Sequence, residues 1–402
     1  MKHGSVSVAC LGIAVVLQAT ATAQEETAAE TSTAWRYDTE LLRPFWVGEV
    51  VRGESVLFIR DAESGEARGP LLFSVRRVLE VTCSSDWRVP GGVVFEEGRD
   101  YRCEPGSREI VLPRGSRIPS FTEKDLRRPA GSQQYRLTHR DGDGEILFGA
   151  ASEYHEMQVS VTYQRDDEPW PAAGSEFREA ALPRTLQKLR EHQPVSIALL
   201  GDSISTGCNA SGWANCSPRQ PAYQDLLAEH LRQVYAADVR LTNLAVGGTS
   251  TPWGVTRIPD VVAAKPDLVI LAFGMNDSSG RPAAEYKANI QAMILKTRES
   301  LPDTEFILVA TMLGNRDWVL LKQELFPQYR AALQELTGPG IALADLTSVW
   351  GELLKRKRDS DLTGNGVNHP NDFGHRIYAQ VISSLLVPQE TERGVNRNRK
   401  QR

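Results

Sequence analysis

The sequence predicts a doubly wound α/β domain with a parallel sheet, preceded by an N-terminal all-β sandwich domain. In the second half of the chain, five continuous apolar runs alternate with stretches of helical character, as in parallel strands that are covered on both faces. In the first half, short β-branched and aromatic runs are separated by Gly, Pro and Asp, which is typical of a sandwich. A charged, Pro-containing stretch at residues 166–176 separates the two patterns and is predicted to be a linker.

The bulk composition fits two globular domains. The chain has 402 residues, of which 41% are hydrophobic and 24% are charged, as in ordinary folded proteins. Its formal net charge of -5 gives no basis for a clustered basic surface, so nucleic acid is not expected as a partner.

The first 23 residues predict a signal peptide. Lys2 gives a basic start, residues 6–17 are mostly apolar, and residues 21–23 read Ala-Thr-Ala, a small-residue cleavage site. The apolar run is shorter than the roughly 20 residues of a membrane-spanning helix, so we expect a secreted or periplasmic protein without a membrane anchor. Residues 24–34 are predicted to be a flexible linker.

Export bears on the cysteines that remain after cleavage. Four cysteines allow three pairings, and we expect Cys83–Cys103 and Cys208–Cys216 because each of these pairs lies within one predicted domain. In an oxidising compartment such pairs form structural disulfides. Their spacing lacks the close Cys/His ligands that zinc needs, so no metal site is expected.

The sandwich domain is assigned to residues 35–165 and the α/β domain to residues 177–388, with a disordered basic tail at 389–402. The parallel strands are predicted at 195–202, 239–246, 267–274, 305–311 and 341–347. Helices are predicted at 223–235, at 283–300 and after Asp372, which we expect to be the N-cap of the last helix.

Small polar residues follow the first three parallel strands. Ser203 stands in Gly-Asp-Ser after the first strand, Gly247 and Gly248 follow the second, and Asn276 follows the third. Carboxyl ends of parallel strands meet at one edge of the sheet, where backbone N–H groups and an Asn amide are donors of the oxyanion-hole type. Either glycine could supply such a donor. His369 lies downstream in a Pro- and Asn-rich loop that is typical of the general base of a serine hydrolase.

These four motifs resemble the SGNH hydrolases, also called GDSL-type esterases and lipases, over residues 195–386. The residues that give that family its name correspond to Ser203, Gly248, Asn276 and His369, in the same order. The resemblance implies a flavodoxin-like fold with Ser203 as nucleophile and His369 as general base. It also implies an oxyanion hole of Ser203, Gly248 and Asn276, and chemistry that needs no cofactor.

The chain departs from that family at the acid. An Asp usually stands three residues before the histidine, and here that position is Gly366. An imidazole base needs an acceptor that fixes its tautomer. The candidates are Asp361, a backbone carbonyl and Asn365. We rank Asn365 third, because exchanging Asp for Asn in a serine protease costs about 10⁴ in turnover.

An exported esterase with an N-terminal sandwich is similar to bacterial carbohydrate esterases of this superfamily, which remove acetyl groups from polysaccharides. We therefore expect a carboxylic ester as substrate, with an acetylated polysaccharide as the leading case. Trp213 lies in the loop that follows Ser203, and Trp253 follows the loop of Gly247 and Gly248. We expect both beside the predicted nucleophile, where they would suit stacking on sugar rings or serve only packing. Two alternatives remain. One is a lysophospholipase- or thioesterase-like lipid hydrolase. The other is an inert glycan-binding protein, which is suggested because Gly366 stands where the family carries its acid.

Overall fold

The computed structural model of the protein describes residues 35–84, 92–171 and 177–388. The predicted signal peptide (1–23), the linker at 24–34 and the tail at 389–402 lie outside the described residues, as does 172–176 within the second linker.

The N-terminal region is strand-rich and antiparallel, as predicted. The nine strands among its described residues form a four-stranded sheet of order β1-β9-β4-β5, a three-stranded sheet of order β2-β3-β6 and a pair of β7 with β8. One short helix, α1 (Glu153–Met157), directly precedes β9. The strands are β1 (Val50–Leu57), β2 (Ile59–Arg60), β3 (Ala67–Pro70), β4 (Val75–Cys83), β5 (Val93–Val94), β6 (Glu109–Leu112), β7 (Arg127–Arg128), β8 (Glu145–Ile146) and β9 (Gln158–Arg165).

The C-terminal region contains a five-stranded, wholly parallel sheet of order β11-β10-β12-β13-β14. The strand order reverses between β10 and β12, and ligands of such sheets bind beyond the carboxyl ends of the strands at this point. The predicted fold class is therefore confirmed. The carboxyl end of β10, which Ser203 follows, lies at the point where a ligand is expected. The strands are β10 (Val195–Gly201), β11 (Val239–Asn243), β12 (Leu268–Ala272), β13 (Glu305–Ala310) and β14 (Ile341–Asp345).

Helices connect these strands. Those predicted at 223–235 and 283–300 are found with the same bounds, as α3 and α6. The predicted N-cap of the last helix is wrong by one residue: the Asn371 side chain accepts the N–H of Gly374 at 3.0 Å. Asp372 instead accepts the N–H of Ser211 at 2.7 Å. The helices are α2 (Pro183–Arg190), α3 (Tyr223–Tyr235), α4 (Thr251–Thr256), α5 (Ile258–Ala264), α6 (Ala283–Ser300), α7 (Leu325–Gln334), α8 (Leu346–Leu353), α9 (Asp359–Leu362) and α10 (Asp372–Ser383).

One hydrophobic core joins the two regions. It includes Phe73 and Val161 of the N-terminal region together with Phe373 and Ile377 of α10, all fully or almost fully buried. A second core lies on the other face of the parallel sheet. Since apolar burial is the main stabilising force in folding, a core common to both regions couples their stability. The division at residues 166–176 stays a prediction.

Neither predicted disulfide is present among the cysteines that the structure describes. The Cys208 thiol lies 3.3 Å from the Thr206 hydroxyl, and the Cys83 thiol lies 4.0 Å from the His155 carbonyl oxygen. Both thiols are thus turned toward polar groups of other residues. Within the same described ranges, no helix has the length and apolar character needed to cross a membrane.

Candidate active site

Ser203 lies in a tight turn at the carboxyl end of β10. The turn is held by Asp202, whose carboxylate accepts the N–H of Ile204 at 3.0 Å and whose carbonyl accepts the N–H of Ser205 at 3.1 Å. Gly201 is required before it, because a Cβ there would lie 2.7 Å from the carbonyl oxygen of Ala272 on β12. The Ser203 side chain is consequently fixed at the sheet edge, and the residue is 9% exposed.

His369 contacts the serine directly. Its Nε2 lies 2.8 Å from Ser203 Oγ, a hydrogen-bond distance suited to proton transfer. The loop that carries it is shaped by Asn365, whose side-chain oxygen accepts the N–H groups of Val367, Asn368 and His369 at 2.9, 3.0 and 3.1 Å. Asn365 therefore builds the loop, and the proposal that it accepts from the His369 ring is wrong.

The acceptor for the far side of the ring is Asn209. His369 Nδ1 lies 2.8 Å from Asn209 Oδ1. The orientation of this amide follows from its other contacts, because Asn209 Nδ2 donates to the carbonyl oxygens of Gly149 at 3.4 Å and Gly364 at 3.2 Å. Carbonyl oxygens only accept, so Nδ2 faces them and Oδ1 faces the ring. His369 consequently carries its proton on Nδ1 and leaves the Nε2 lone pair for the Ser203 hydroxyl.

The expected carboxylate, Asp361, is not at the site. It is fully buried, and its two carboxylate oxygens accept the N–H groups of Leu57 at 2.7 Å and Arg358 at 2.8 Å. Asp361 thus joins α9 to strand β1 of the N-terminal region. The assignment of this residue as the acid is wrong, and a backbone carbonyl does not take the role either, since the Asn209 side chain occupies that position.

Gly366 is explained by the same packing. Its φ of +78° favours glycine, and a Cβ there would lie 2.1 Å from the Tyr154 hydroxyl oxygen. Tyr154 of α1 therefore occupies the space that an Asp side chain at position 366 would need. The missing carboxylate is a consequence of how the N-terminal region packs on the histidine loop.

Burial sets the charge state of the site. It lowers the pKa of His369 to about 4, well below the usual 6.5. The group at its Nδ1 is the neutral amide of Asn209, so the ring is neutral at neutral pH and its Nε2 can accept a proton. Burial also raises the pKa of Asp202 to about 7, so this carboxyl is partly protonated at neutral pH. The residue before Ser203 therefore carries less negative charge, and it repels a negative reaction intermediate at Ser203 less strongly.

The three predicted oxyanion donors are the backbone N–H groups of Ser203 and Gly248 and the side-chain amide of Asn276. Among the hydrogen bonds of the described residues, none uses the backbone N–H of Ser203 or of Gly248. Asn276 Nδ2 donates one hydrogen to the carbonyl oxygen of Thr249 at 2.7 Å, which leaves its second hydrogen for a ligand. A Cβ on Gly247 would lie 3.7 Å from Ser203 Cβ, so both glycines of the loop remain candidates and their roles stay predictions.

The two tryptophans differ in their surroundings. Trp253 on α4 packs edge-to-face on Phe273, with ring centroids 6.4 Å apart, and therefore serves packing. Trp213, on the loop between Ser203 and α3, is 48% exposed and can offer a face to a ligand. In the described part of the chain, no group of three His, Cys, Asp or Glu side chains is arranged to hold a metal ion.

Asn209 is the functional residue that the sequence analysis missed. It lies 160 positions before His369. Its backbone is left-handed, with φ +62°, and Asn tolerates this conformation better than most residues, so an Asn in a turn was the one hint available. Asn215 has a left-handed φ as well, +52°, so this signal would not have singled out Asn209.

Comparison with known proteins gives one family. Residues 199–377 match the GDSL-like Lipase/Acylhydrolase family. Among curated protein sequences, none matches the chain.

Three solved structures illustrate the range of structural similarity. A two-domain esterase (CEX) active on acetylated mannans, co-crystallised with mannopentaose, is 23% identical with a TM-score of 0.44, over 54% of this chain and 55% of that one. The acetyl xylan esterase AlAXEase is 22% identical with a TM-score of 0.39, over 48% and 100% of the two chains. The lipase Lip_vut3 from a goat rumen metagenome is 16% identical with a TM-score of 0.39, over 47% and 96%. The match thus spans only about half of the two-domain esterase.

Proposed function

We propose that the protein is a serine esterase that hydrolyses carboxylic esters through an acyl-enzyme, from the premise that residues 199–377 match the GDSL-like Lipase/Acylhydrolase family. The observation that carries the proposal is the hydrogen-bonded series Ser203 Oγ, His369 Nε2, His369 Nδ1 and Asn209 Oδ1, with both contacts at 2.8 Å. A serine hydroxyl is a weak nucleophile until an adjacent base takes its proton, and this series provides the base in its reactive tautomer.

In the first half of the reaction, Ser203 Oγ attacks the ester carbonyl carbon while His369 Nε2 accepts its proton. The carbonyl oxygen becomes negative and faces the N–H groups of Ser203 and Gly248 and the free hydrogen of Asn276 Nδ2. Collapse of this intermediate breaks the bond to the alkoxide, which takes the proton from His369. In the second half, His369 deprotonates a water that attacks the acyl-enzyme, and the acid is released as Ser203 regains its proton.

A neutral orienting residue is compatible with this mechanism. The loss of about 10⁴ that follows an Asp to Asn exchange in a serine protease arises from a wrong tautomer. Here the carbonyls of Gly149 and Gly364 hold the Asn209 amide with its oxygen toward the ring, so the tautomer is the reactive one. What Asn209 does not provide is a negative charge beside the imidazolium. Because Asn209 is an acceptor for His369 Nδ1, the glycine at position 366 is no longer a reason to regard the protein as an inert glycan binder.

For the substrate we propose an acetylated carbohydrate. Trp213 is 48% exposed on the loop that follows the nucleophile, and an exposed aromatic face suits stacking on a sugar ring. The lipid alternative has its own observation: Val246, in the loop that contains both candidate oxyanion glycines, is 45% exposed. An apolar side chain at that position would favour a longer acyl chain.

We also propose that the protein acts outside the cytoplasm, on the sequence of residues 1–23 alone. Expression in a host with a secretory pathway tests this directly. N-terminal sequencing of the exported protein should begin after Ala23, and retention of the uncleaved chain inside the cell would contradict it.

Two measurements test the function. Purified wild type, Ser203→Ala and the control Ser196→Ala, at the other end of the same strand, are compared on p-nitrophenyl acetate. Activity in wild type and control but not in Ser203→Ala supports the serine esterase, and equal rates in all three would rule out Ser203 as the nucleophile. A series from acetate to octanoate then separates substrates: preference for acetate supports deacetylation, and preference for octanoate supports a lipid.

A further inference from the structure

We propose that the strand-rich N-terminal region positions the catalytic residues: its segment from Gly149 to His155 sets the orientation of the Asn209 side chain, and through it the tautomer of His369. This inference rests on the proposed serine esterase function. It assigns the N-terminal region a role in catalysis in addition to any part it has in binding a substrate.

The N-terminal region contacts Asn209 at two points. Asn209 is 2% exposed, and its Nδ2 donates to the carbonyl oxygen of Gly149 at 3.4 Å. Its backbone carbonyl oxygen lies 3.0 Å from His155 Nε2, which must be the donor because a carbonyl oxygen only accepts. Side chain and main chain of Asn209 are thus each fixed by one residue of the N-terminal region.

The same segment holds the histidine loop. The N–H of Gly149 donates to the carbonyl oxygen of Asn365 at 3.1 Å, and the buried Tyr154 ring fills the space beside Gly366. The position at which related hydrolases carry an acid is therefore closed by Tyr154. Its neighbours Gly149 and His155 hold the residue that replaces that acid.

These contacts matter because an amide has two different ends. If the Asn209 amide were turned over, its oxygen would face the carbonyl oxygens of Gly149 and Gly364, and its NH₂ would face His369 Nδ1. The ring would then hold its proton on Nε2 and could not accept one from Ser203. Donation to Gly149 disfavours this orientation, so the N-terminal region favours the reactive tautomer.

The experiment measures the tautomer of His369 and the kinetics together, in the full chain. With ¹⁵N-labelled histidine, NMR distinguishes a protonated from an unprotonated ring nitrogen, and His369→Gln identifies the resonances. His155→Phe removes the donor to Asn209, His155→Gln retains an N–H, and Gly149→Ala places a Cβ 2.7 Å from the Tyr154 ring. The matched control is His230→Phe, because His230 is buried as well and its Nδ1 also contacts the N-terminal region, 2.7 Å from the Tyr37 hydroxyl.

In the wild type we expect the proton on Nδ1 and an unprotonated Nε2. His155→Phe and Gly149→Ala should give a mixture of tautomers and lower kcat by about 10- to 100-fold, as expected for misplaced catalytic groups, with KM changed by less than about twofold. His155→Gln should restore most of kcat. The control His230→Phe should lower Tm and leave the tautomer and kcat unchanged.

Two results would overturn the proposal. One is a wild-type His369 with its proton on Nε2, which needs no variant to be folded. The other is an unchanged tautomer and kcat in folded His155→Phe or Gly149→Ala. Failure of the proposed function itself has a separate signature, since Ser203→Ala would then retain ester hydrolysis whatever the tautomer of His369.

Discussion

Replacement of Asn209 by Ala tests the centre of the proposed site. In the transition state His369 becomes an imidazolium whose Nδ1–H donates to Asn209 Oδ1 at 2.8 Å. A hydrogen bond to a charged group contributes about 1.5–3 kcal/mol, and about 1.4 kcal/mol corresponds to a tenfold change in rate. The change should therefore lower kcat by about 10- to 150-fold. The loss should stay below the roughly 10⁴-fold of a wrong tautomer, because Ala does not force a proton onto Nε2.

The assay is the hydrolysis of p-nitrophenyl acetate, with kcat and KM measured separately and folding checked by thermal denaturation. KM should change little, since the lost interaction forms fully only in the transition state. The control is Asp361→Asn, because in the described part of the chain the Asp361 carboxylate bonds to the N–H groups of Leu57 and Arg358 and not to His369. This variant should lose stability and keep kcat. A folded Asn209→Ala with less than a threefold loss, or an Asp361→Asn with a tenfold loss, would refute the assignment of Asn209.

Three further predictions concern charge and the oxyanion. Because the pKa of His369 is lowered to about 4, the kcat/KM of the wild type should fall with decreasing pH only as the pH passes through about 4; a fall with decreasing pH already near 6.5 in a pH–rate profile would contradict this. The same lowered pKa in His369 and His375 means that these two rings take up protons between pH 6.5 and 4 only in the unfolded chain, which is a destabilising contribution as the pH falls; in urea denaturation the wild type should therefore change less favourably from pH 6.5 to pH 4 than His375→Gln does, and equal changes would contradict this. Asn276→Ala should lower kcat by about 10²- to 10³-fold through loss of an oxyanion donor, and a loss below threefold in steady-state kinetics would remove Asn276 from the site.

Much of the C-terminal fold and of the site could be predicted because the signals are local. A buried parallel strand is a short apolar run, so β10 to β14 appear in the sequence within a few residues of their bounds. Ser203 and Asn276 follow these runs directly, and the topology of the sheet then brings their loops to one edge. His369 could be added because its loop resembles the general-base loop of a known family.

The remaining features depend on tertiary contacts that leave no local pattern. Asp361 is near His369 in sequence, yet it faces β1 because the N–H of Leu57 lies there. The basic run at residues 355–358 looks like a solvated surface, but the Lys357 side chain is fully buried, with its Nζ 2.8 Å from Glu54 Oε1. Both interactions join the two regions, so the sequence of one region alone cannot predict them.

That buried ion pair leads to a prediction about how the regions fold. Lys357→Met would leave the Glu54 carboxylate in a site where burial already raises its pKa. Removal of one partner from a buried pair typically costs about 3–5 kcal/mol, so the free energy of unfolding should fall by about that amount. Calorimetry of the wild type should show one cooperative transition, because the common core and this pair couple the regions. Two separate transitions, or a loss below 1 kcal/mol in urea denaturation, would contradict the coupling.

An amide in place of a carboxylate changes what the surrounding fold must do. A carboxylate presents two equivalent acceptor oxygens, so a rotation by half a turn leaves the histidine with the same partner. Asn209 has only one acceptor oxygen, and the same rotation would stabilise the unreactive tautomer of His369. The orientation of the Asn209 amide must therefore be set by its neighbours, here the carbonyl oxygens of Gly149 and Gly364. A hydrolase domain with this substitution is expected to depend on the region that supplies Gly149. The close packing of α1 and the preceding loop on the histidine loop meets this need, because it holds Gly149 beside Asn209.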